Sequence, residues 1–320
     1  MTLICSGSLA FDRLQSFPGI FADSLISEKL DMLNVCFLVD SVKRVYGGTA
    51  GNIAYNLGLL GEKPLIVASL GDDPDGEDYR RRLTEQGFPL DAVVTQKNHM
   101  TSGAVISTDK TNNQITFFHP GAMSVSTGFD PASMPSPVSD HLAIVSPGGS
   151  EEMKSLCEAY RKSGVKFIFD PGQQLPVFNK EELVGMLEGS SIFICNEYEY
   201  ELFKKITGLD ADGIFCHTET IVVTRGEEGS DLMVPGRGSQ HIAPVPASQV
   251  INPTGAGDAF RAGLLKGLAN GEHLVTACRL GSVVAAFCVE ADGTQEHHFT
   301  PMQVMGRHAA AFNEQVNLMR

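Results

Sequence analysis

The hydrophobic residues of this chain fall into short, nearly continuous runs that alternate with stretches of helical periodicity. Such runs, bounded by glycine, proline or polar residues, are typical of strands buried on both faces of a parallel sheet. The runs cover residues 3–7, 64–71, 141–146, 165–170, 191–196 and 220–224. The helical stretches cover residues 50–60, 76–86, 151–163, 180–188 and 197–206. The alternation predicts an α/β fold with a doubly wound, mainly parallel sheet and helices on both faces.

Two regions interrupt this alternation. Residues 37–48 and 103–121 have the pattern of strands and a hairpin, with a polar turn at 110–113. We expect them to form a small β-sheet outside the main layer, placed as a lid over a ligand crevice. The whole chain, 1–320, is then one domain, with the lid formed by about 13–47 and 100–121.

The chain after Thr254 is expected to be helical almost to its end. Small and apolar residues recur there at the i, i+3, i+4, i+7 spacing of a buried stripe. They are Ala256, Ala259, Phe260, Gly263, Leu264, Gly267 and Leu268. Asp258 and Arg261 fall outside that stripe, three residues apart. We expect both on one exposed edge of the first helical turn, beside the backbone donors of the helix start.

Composition and charge narrow the classes of partner. The 320 residues are 42% hydrophobic and 19% charged, which is ordinary for a globular domain. With 24 Lys and Arg against 38 Asp and Glu, the net charge is −14. This balance argues against nucleic acid and against an anionic membrane surface as partners, but it allows a small anionic ligand in a local site.

The cysteines and the N-terminus predict a cytoplasmic protein. The seven cysteines are scattered without metal-ligand spacing, so we expect free thiols in a reducing compartment. The first basic residue is Arg13, so no charged leader precedes the fold and no signal peptide is expected. The apolar stretch at 280–289 is too short to span a bilayer.

The segment INPTGAGDAF, residues 251–260, places two glycines and a carboxylate at the start of a predicted helix. One interpretation is a glycine turn in which Asp258 caps the helix. The other is an anion site, in which the backbone at Gly255 and Gly257 faces a phosphate and Asp258 takes a proton. A Walker A loop and a dinucleotide fingerprint are both absent from the chain. The second interpretation suits phosphoryl transfer to a hydroxyl group.

A second glycine-containing segment, YGGTAGNIAYNLGLLG, spans residues 46–61. Asn52 and Asn56 lie one turn apart on the polar face of its predicted helix. They are either solvated side chains after a glycine turn, or Asn52 and the Gly48 backbone bind the hydroxyls of a polyol. Asp12 follows the first predicted strand, where ligands of such sheets bind, although a lone Asp there is also a common cap or turn residue.

Together, the two glycine-containing segments strongly resemble the signatures of the ribokinase-like (PfkB) carbohydrate and nucleoside kinases. The resemblance covers essentially the whole chain. Four short segments resemble in particular the bacterial adenosine kinases of that family: CFLVD (36–40), HPGAMS (119–124), DPGQQL (170–175) and GTQE (293–296). The resemblance implies ATP- and Mg²⁺-dependent phosphorylation of the 5′-hydroxyl of adenosine to AMP, a purine-salvage reaction.

The resemblance also implies the roles of individual residues. The catalytic set is Asp258 as base, the N–H groups of Gly255, Ala256 and Gly257 as anion hole, and Arg261 beside them. The set for ATP and its metal is Asn196, Thr224, Arg225, Gly226, Gly229 and Gly257, with Glu199 at the Mg²⁺ ion. The set for the nucleoside is Ser8, Asp12, Gly48 and Asn52 at the ribose, Gln173, Gln174 and Phe118 near the base, and Asp258 at the reacting hydroxyl.

Two positions depart from the family pattern. Residues 252–254 are Asn-Pro-Thr, whereas the commoner family text is Asp-Thr followed by a variable residue. That Asp helps to bind a monovalent cation in some relatives, so potassium activation is left open. Ala104 stands where an aromatic wall of the adenine slot is expected. In contrast, Phe117 and Phe118 are neighbours in a predicted strand, so one of them can face the crevice.

Three other functions stay open at this point. A sugar kinase for ribose or fructose, or a broad nucleoside kinase, would share the same signatures. A catalytically silent sugar- or nucleoside-binding regulator would not need the carboxylate of GAGD. A nicotinamide-dependent dehydrogenase lacks its fingerprint. Because exposed lid strands are sites of edge pairing, we also expect a homodimer formed through the lid.

Overall fold

The computed structural model describes residues 1–25, 34–111, 113–134 and 137–319. Part of the predicted lid, 26–33, and one residue of the predicted turn at 110–113 lie outside the described residues. The strands are β1 (Thr2–Ser6), β2 (Ala10–Ser16), β3 (Ser41–Gly47), β4 (Leu65–Gly71), β5 (Val93–Gln96), β6 (Ser102–Thr108), β7 (Gln114–His119), β8 (His141–Val145), β9 (Lys166–Phe169), β10 (Ile192–Asn196), β11 (Ile221–Thr224), β12 (Ser230–Val234) and β13 (Gly238–Ile242).

The helices include all five that the periodicity predicts. They are α1 (Phe21–Ser24), α2 (Thr49–Leu59), α3 (Pro74–Glu85), α4 (Ser150–Ser163), α5 (Lys180–Leu187), α6 (Glu197–Thr207), α7 (Ala211–Phe215), α8 (Ala256–Ala269), α9 (Leu274–Cys288) and α10 (Pro301–Phe312). The segment after Thr254 is less continuous than expected, because residues 289–300 between α9 and α10 are not helical.

The main sheet has nine strands in the order β13-β12-β11-β10-β9-β8-β1-β4-β5. The six predicted strands are β1, β4, β8, β9, β10 and β11, and all of them pair in parallel. β12 and β13 add an antiparallel edge. The chain proceeds from β1 to β4 on one side and later to β8 on the other, so the order reverses at β1. The predicted α/β class with a doubly wound sheet is confirmed, and the reversal places a ligand crevice at the carboxyl ends of β1 and β8.

Both faces of the main sheet are covered. Ile4 of β1 packs in a core with Met153 of α4 and Leu183 of α5. Its neighbours Leu3 and Cys5 point to the opposite face, into a core that also contains residues of α2, α8 and α9. The period of two along β1 therefore produces two separate hydrophobic layers, as expected for a strand that is buried on both sides.

The small sheet has four strands in the order β3-β2-β6-β7. β2 was not predicted as a strand, and it pairs in parallel with β6 and antiparallel with β3. Only residues 7–9 separate β1 from β2, and Gly48 alone separates β3 from α2. The small sheet is therefore attached directly to the rim of the main sheet where the crevice opens.

Helices α8 and α9 pack closely through two glycines. A Cβ atom on Gly263 would lie 2.6 Å from the carbonyl oxygen of Leu280, and one on Gly267 would lie 2.7 Å from Cα of Ala277. Any larger residue would push the helices apart. The close packing fixes the position of the start of α8, which borders the crevice.

Across the described ranges of the chain, no helix combines the length and the apolar character that crossing a bilayer requires.

Candidate active site

A cavity of about 800 Å³ lies between the small sheet and the carboxyl ends of the main strands. This main cavity has the size of a site for a small organic ligand. Fifteen of the eighteen residues predicted to form the site line it: Ser8, Asp12, Gly48, Asn52, Phe118, Gln173, Gln174, Asn196, Glu199, Thr224, Gly226, Gly255, Gly257, Asp258 and Arg261. The three outside that lining are Ala256, Arg225 and Gly229.

The start of α8 opens onto the main cavity. Gly255 is the N-cap residue with a φ of 85°, a left-handed conformation that favours glycine. The first bond along the helix runs from the N–H of Ala259 to the carbonyl oxygen of Gly255 (2.9 Å), so the N–H of Gly257 precedes the hydrogen-bonded turns. The N–H of Ala256 instead donates to Pro253 (3.2 Å). Its expected place in the anion hole is therefore taken by a backbone turn.

Asp258 does not cap α8. Its carboxylate accepts a hydrogen bond from Nδ2 of Asn52 (2.8 Å), a residue of α2, and no side chain caps this helix start. Burial raises the pKa of Asp258 to about 6, against the opposing effects of Asn52 and the Arg261 guanidinium. The carboxylate is half-buried and is ionised at neutral pH, with a pKa close to that of an effective base.

Arg261 differs from the expectation of an exposed edge. It is buried, and it forms a bidentate ion pair with Asp170, the residue that follows β9 (Nη2 to Oδ1, 2.6 Å; Nε to Oδ2). Its Nη1 also donates to the carbonyl oxygen of Gly257 (3.1 Å). Spacing along α8 places Arg261 off the apolar stripe correctly, but the adjoining surface is β9 rather than solvent. Arg261 and Asp170, together with Asn52, thus form the floor of the main cavity beside Asp258.

The two asparagines of α2 are buried rather than solvated, which the polar-face interpretation did not anticipate. Asn56 donates through Nδ2 to the carbonyl oxygen of Asn52 (2.9 Å), and its Oδ1 lies 2.7 Å from Nε2 of His297. Burial, with His298 nearby, lowers the pKa of His297 to about 4, so its ring is neutral. These bonds fix the turn of α2 that carries Asn52.

Asn196 and Glu199 form a capping box at the start of α6. The N–H of Glu199 donates to Oδ1 of Asn196, and the N–H of Asn196 donates to Oε2 of Glu199, both at 2.8 Å. The pair Asn196 and Glu199, in the segment NEYE (196–199), is thus explained in part by helix capping. Glu199 still lines the main cavity, and its pKa is raised by burial and by the nearby carboxylate of Asp170.

The segment VTRGEEG, residues 223–229, contributes Thr224 and Gly226 to the lining. Arg225 instead pairs with surface carboxylates, among them Glu197 (2.5 Å) and Asp231 (2.9 Å). Gly229 has a φ of 94°, and a Cβ atom there would lie 2.2 Å from the carbonyl oxygen of Ile242. Its glycine is thus required by the close approach of the β13 end. Arg225 and Gly229, two of the four nucleotide contacts predicted in this segment, lie outside the lining.

The predicted ribose residues lie together where the small sheet joins the main sheet. Gly48 has a φ of 86°, and a Cβ atom there would lie 2.5 Å from the carbonyl oxygen of Ser8. Oγ of Ser8 accepts the N–H of Thr49 (3.0 Å), which orders the start of α2. Asp12 of β2 is half-buried, and burial raises its pKa to about 6.

One face of the small sheet covers the main cavity. Asp12, Ala104 and Phe118 pair across β2, β6 and β7, so their side chains share that face. All three line the cavity, whereas Phe117 points away and is 70% exposed. Met123 and Thr294, from the HPGAMS and GTQE segments, also line this end. No sequence pattern singled out three further residues there: Thr116, Pro147 and Val177. Their separation along the chain, and the absence of titratable groups among them, left no signal in the sequence.

Asn252, at the position where the commoner family residue is Asp, takes part in several hydrogen bonds. Asn252 accepts the N–H of Thr254 (2.9 Å) and donates to Oδ1 of Asp292 (3.3 Å). Nζ of Lys43 also donates to Asp292, through Oδ2 (3.0 Å). Within the ranges that the structure describes, no group of three or more His, Cys, Asp or Glu side chains is placed to hold a metal ion.

Comparison with known proteins identifies the family. The profile of the pfkB family carbohydrate kinases matches residues 24–300. A nucleoside kinase of Methanocaldococcus jannaschii is 31% identical over 268 residues, which cover 84% of this chain and 87% of the relative. The fold is shared with a Thermotoga maritima ribokinase (18% identity, TM-score 0.79, 96% of this chain and 99% of that one).

A solved nucleoside kinase of Burkholderia thailandensis is more similar. Its complex with inosine is 37% identical to this chain, with a TM-score of 0.87 and coverage of 98% of this chain and 99% of that one. Its complex with ADP-inosine has a TM-score of 0.84 and covers 98% and 97%. The predicted ribokinase-like fold and kinase family are confirmed. The chain belongs to the pfkB family of carbohydrate kinases.

Proposed function

We propose that this protein is an ATP-dependent nucleoside kinase that transfers a phosphoryl group to the 5′-hydroxyl of a purine nucleoside, with adenosine as the expected acceptor. One observation carries the proposal. Asp258 lies at an open helix start in a cavity whose far end is lined by Phe118 and other apolar groups of the small sheet and its neighbours. A carboxylate base, an anion site and a space for a flat ring thus share one cavity.

The relatives support the acceptor class. The Burkholderia thailandensis nucleoside kinase binds inosine, and one of its complexes contains ADP-inosine. Inosine and adenosine share the ribose and differ at the base edge. The two amide side chains near the base, Gln173 and Gln174, lie on one short turn and can each present a donor or an acceptor. The site therefore suits purine nucleosides as a class, with adenosine as the first choice among them.

Proton removal falls to Asp258. Its pKa of about 6 keeps it ionised at pH 7 while leaving it basic enough to accept the proton of the 5′-hydroxyl in the transition state. The hydrogen bond from Asn52 goes to Oδ2, which leaves Oδ1 for the hydroxyl. In this proposal, the N–H groups of Gly255 and Gly257, which line the cavity at the start of α8, stabilise the negative charge of the transferring group.

The ATP end of the cavity fits a nucleotide with its metal. Thr224 and Gly226 follow β11, and Glu199 supplies a carboxylate, the oxygen ligand that Mg²⁺ prefers together with retained waters. When bound, Mg²⁺ would neutralise phosphate charge. Arg225 and Gly229 would act here by holding the loop, because their observed contacts are with other parts of the chain.

The ribose is assigned to the polar end of the cavity. Asp12 can accept from both hydroxyls of a vicinal diol, and the Gly48 backbone and the Asn52 amide lie at the same end. Ribose alone would fill this end and leave the apolar end empty. This difference favours a nucleoside over ribose or fructose, and the presence of a positioned base disfavours a silent binding protein.

A panel of acceptors tests the proposal. Release of ADP from Mg·ATP would be measured with adenosine, inosine, guanosine, ribose and fructose. We expect the highest kcat/KM with adenosine, followed by the other purine nucleosides. Higher kcat/KM with ribose or fructose would make the protein a sugar kinase, and higher kcat/KM with inosine would replace adenosine as the preferred acceptor. No ADP release with any of the five would contradict a kinase of this class.

We also propose a homodimer formed through the small sheet. Its edge strand β7 is exposed at every residue except the half-buried Ile115. An unpaired edge of this kind is a ready surface for a second copy of the sheet.

A further inference from the structure

The side-chain amide of Gln295 is buried at the centre of a chain of hydrogen bonds. This chain ends at Asp258, the proposed catalytic base. Gln295 lies in the segment between α9 and α10 and is 3% exposed. Its Nε2 donates to Oδ1 of Asn52 (3.0 Å) and to the hydroxyl oxygen of Tyr79 (2.9 Å). Asn52 then donates to Asp258. Gln295 does not itself touch the base, so any effect on the chemistry passes through Asn52.

The direction of every bond in this chain is fixed from its outer end. The carbonyl oxygen of Gly47 can only accept, so the hydroxyl of Tyr79 donates to it (2.8 Å). The Tyr79 oxygen must then accept from Gln295. At the other end of the Gln295 amide, the guanidinium of Arg82 can only donate, and its Nε does so to Oε1 (3.3 Å). The amide of Gln295 therefore has one possible orientation.

That orientation determines the orientation of Asn52. Because Nε2 of Gln295 is a donor, it requires the oxygen of Asn52 on its side. The Asn52 amide must then turn its NH₂ group towards Asp258. The reversed amide would place an oxygen against the carboxylate, which favours the protonated acid and removes the base from use at neutral pH.

The backbone of α2 leaves room for the hydroxyl group of Tyr79. A Cβ atom on Gly51 of α2 would lie 1.9 Å from the hydroxyl oxygen of Tyr79. Burial raises the pKa of Tyr79, so the hydroxyl keeps the proton that it donates to Gly47. A second bond from Arg82, Nη2 to the carbonyl oxygen of Gln295 (3.2 Å), holds the backbone of the same residue.

We propose that Gln295 is a positioning residue, which orients the Asn52 amide so that its NH₂ group faces Asp258 and Oδ1 of that carboxylate stays free for the acceptor hydroxyl. The inference rests on the proposed function, in which Asp258 is the base. Gln295 belongs to the GTQE segment, and its link to Asn52, 243 positions away, is visible only in the fold.

Three variants test the inference. Gln295→Met removes both donors without adding charge. Gln295→Glu reverses the chain, because a carboxylate can only accept and so attracts the NH₂ group of Asn52 away from Asp258. Tyr79→Phe keeps the buried ring and removes one anchor of the amide, which guards against loss of folding at position 295. Gln240→Glu, on the exposed edge strand β13, is the matched control for an added charge.

Two readouts are measured on each protein. The first is the pKa of Asp258 in the free enzyme, from ¹³C-carboxyl NMR titration with the signal assigned by its loss in Asp258→Asn. The second is kcat and KM with adenosine from pH 5.5 to 9. We expect Gln295→Met to raise the pKa by about one unit, to lower kcat roughly threefold near pH 6.5 and to recover most of kcat at pH 9. KM should change less than about threefold.

The other variants should change the pKa of Asp258 by different amounts. Gln295→Glu should give a larger rise in pKa, Tyr79→Phe a smaller one, and Gln240→Glu none. A role limited to folding would lower kcat equally at every pH and leave the pKa of Asp258 in place, and that result in all three variants would overturn the inference. If the wild type proves inactive with every acceptor, the proposed function fails, but the NMR titration still decides the role of Gln295.

Discussion

The floor of the main cavity and the small sheet above it are built on different principles. On the floor, Asn52, Arg261 and Asp170 are all buried, and each is held by hydrogen bonds with residues distant in the chain. In the small sheet, Thr116 and Phe118 face the same cavity from β7, a strand that is exposed along nearly its whole length. Hydrogen bonds hold the buried polar groups beside the proposed catalytic carboxylate, whereas the side chains that line the other part of the cavity from β7 are exposed.

The floor of the cavity and the small sheet should therefore differ in how much change they tolerate. Buried polar groups cost free energy unless all of them are satisfied, so the floor tolerates little change. The exposed side chains of β7 carry no such cost in free energy, and they can adjust to different ligands. We therefore expect changes on the floor to affect turnover or folding, and changes in the small sheet to affect which acceptor is used.

The largest effect is expected at the base. Asp258→Asn keeps the shape of the side chain but cannot accept the proton, so kcat should fall on the order of 10²–10⁴-fold with a modest change in KM. Removing a carboxylate whose pKa is raised by burial should also increase the free energy of unfolding at pH 8, by on the order of 1 kcal/mol. Steady-state kinetics and urea unfolding measure both. The exposed Asp91→Asn is the control, and near wild-type turnover of Asp258→Asn would refute its role as base.

Arg261→Met should cost the most stability. It leaves the carboxylate of Asp170 buried without its partner, a change worth about 3–5 kcal/mol in the free energy of unfolding. The exposed pair Lys162–Glu158 is the matched control, since Lys162→Met removes a solvent-screened pair and should change the free energy of unfolding far less. Urea unfolding at pH 7.5 distinguishes the two. Equal small losses would show that the buried pair is not needed to hold the floor.

Activity should decline on the acid side near pH 6. Burial raises the pKa of Asp258 and of Asp12 to about 6, so both carboxylates are present above that pH and are lost below it. Arg261, Asp170 and Glu199 also act on Asp258. We expect kcat/KM for adenosine to fall about tenfold to a hundredfold from pH 7 to pH 5. A profile that stays flat to pH 4.5 would contradict the raised pKa values.

The same two groups affect stability in the opposite direction. Their folded-state pKa values lie above the ordinary 3.8, so the folded state binds protons more tightly than the unfolded state. Their contribution to stability therefore increases as the pH falls from about 6 towards 4. Urea unfolding of wild type and Asp258→Asn over this range would show the difference between the two proteins narrowing as the pH falls.

Phe118→Ala should change the choice of acceptor. If Phe118 stacks on the base, its removal should cost about 1–3 kcal/mol of nucleoside binding and raise KM for adenosine about tenfold. Any weak activity with ribose should stay nearly unchanged, because ribose has no base. Phe117→Ala, on the opposite face of the same strand, is the matched control and should leave both acceptors unaffected. Equal losses with adenosine and ribose would mean that Phe118 only supports the small sheet.

The smallest effect on the chemistry is expected from assembly. A homodimer at micromolar concentration should be found by light scattering. Placing a charge on the exposed strand, with Phe117→Lys, should shift the protein towards the monomer if β7 is at the interface. The control is Met302→Lys, at an exposed apolar residue of α10 outside the small sheet and the cavity. A wild-type monomer would refute the dimer.

Local sequence patterns predicted the fold and some individual residues of the site. Each of the six parallel strands is a continuous apolar run, and Asp258 and Gly48 lie in short segments with recognisable glycines. The partners of these groups could not be anticipated. The ion pair of Arg261 with Asp170 joins residues 91 positions apart, and the bond from Asn52 to Asp258 joins residues 206 apart.

The errors also have physical causes. Periodicity correctly placed Arg261 off the apolar stripe, but it does not show what covers each face of a helix. The face that carries Arg261 is covered by Asp170 at the end of β9. The strand β2 was missed because its sequence, AFDRLQS, mixes apolar and charged residues. Its side chains serve two environments: Asp12 faces the cavity and Phe11 packs below, while Arg13 pairs with Asp75 of α3.

The chain enters the small sheet through residues 7–9 and leaves β3 through Gly48, and both connections carry groups assigned to the ribose. If the small sheet moves as the predicted lid, its orientation and the affinity for ribose are thermodynamically coupled, so each must change the other by the same factor. A substitution that biases the sheet towards the closed orientation, anywhere on its outer surface, would tighten nucleoside binding without contacting it. Ser8, at the centre of this connection, would transmit that effect in both directions.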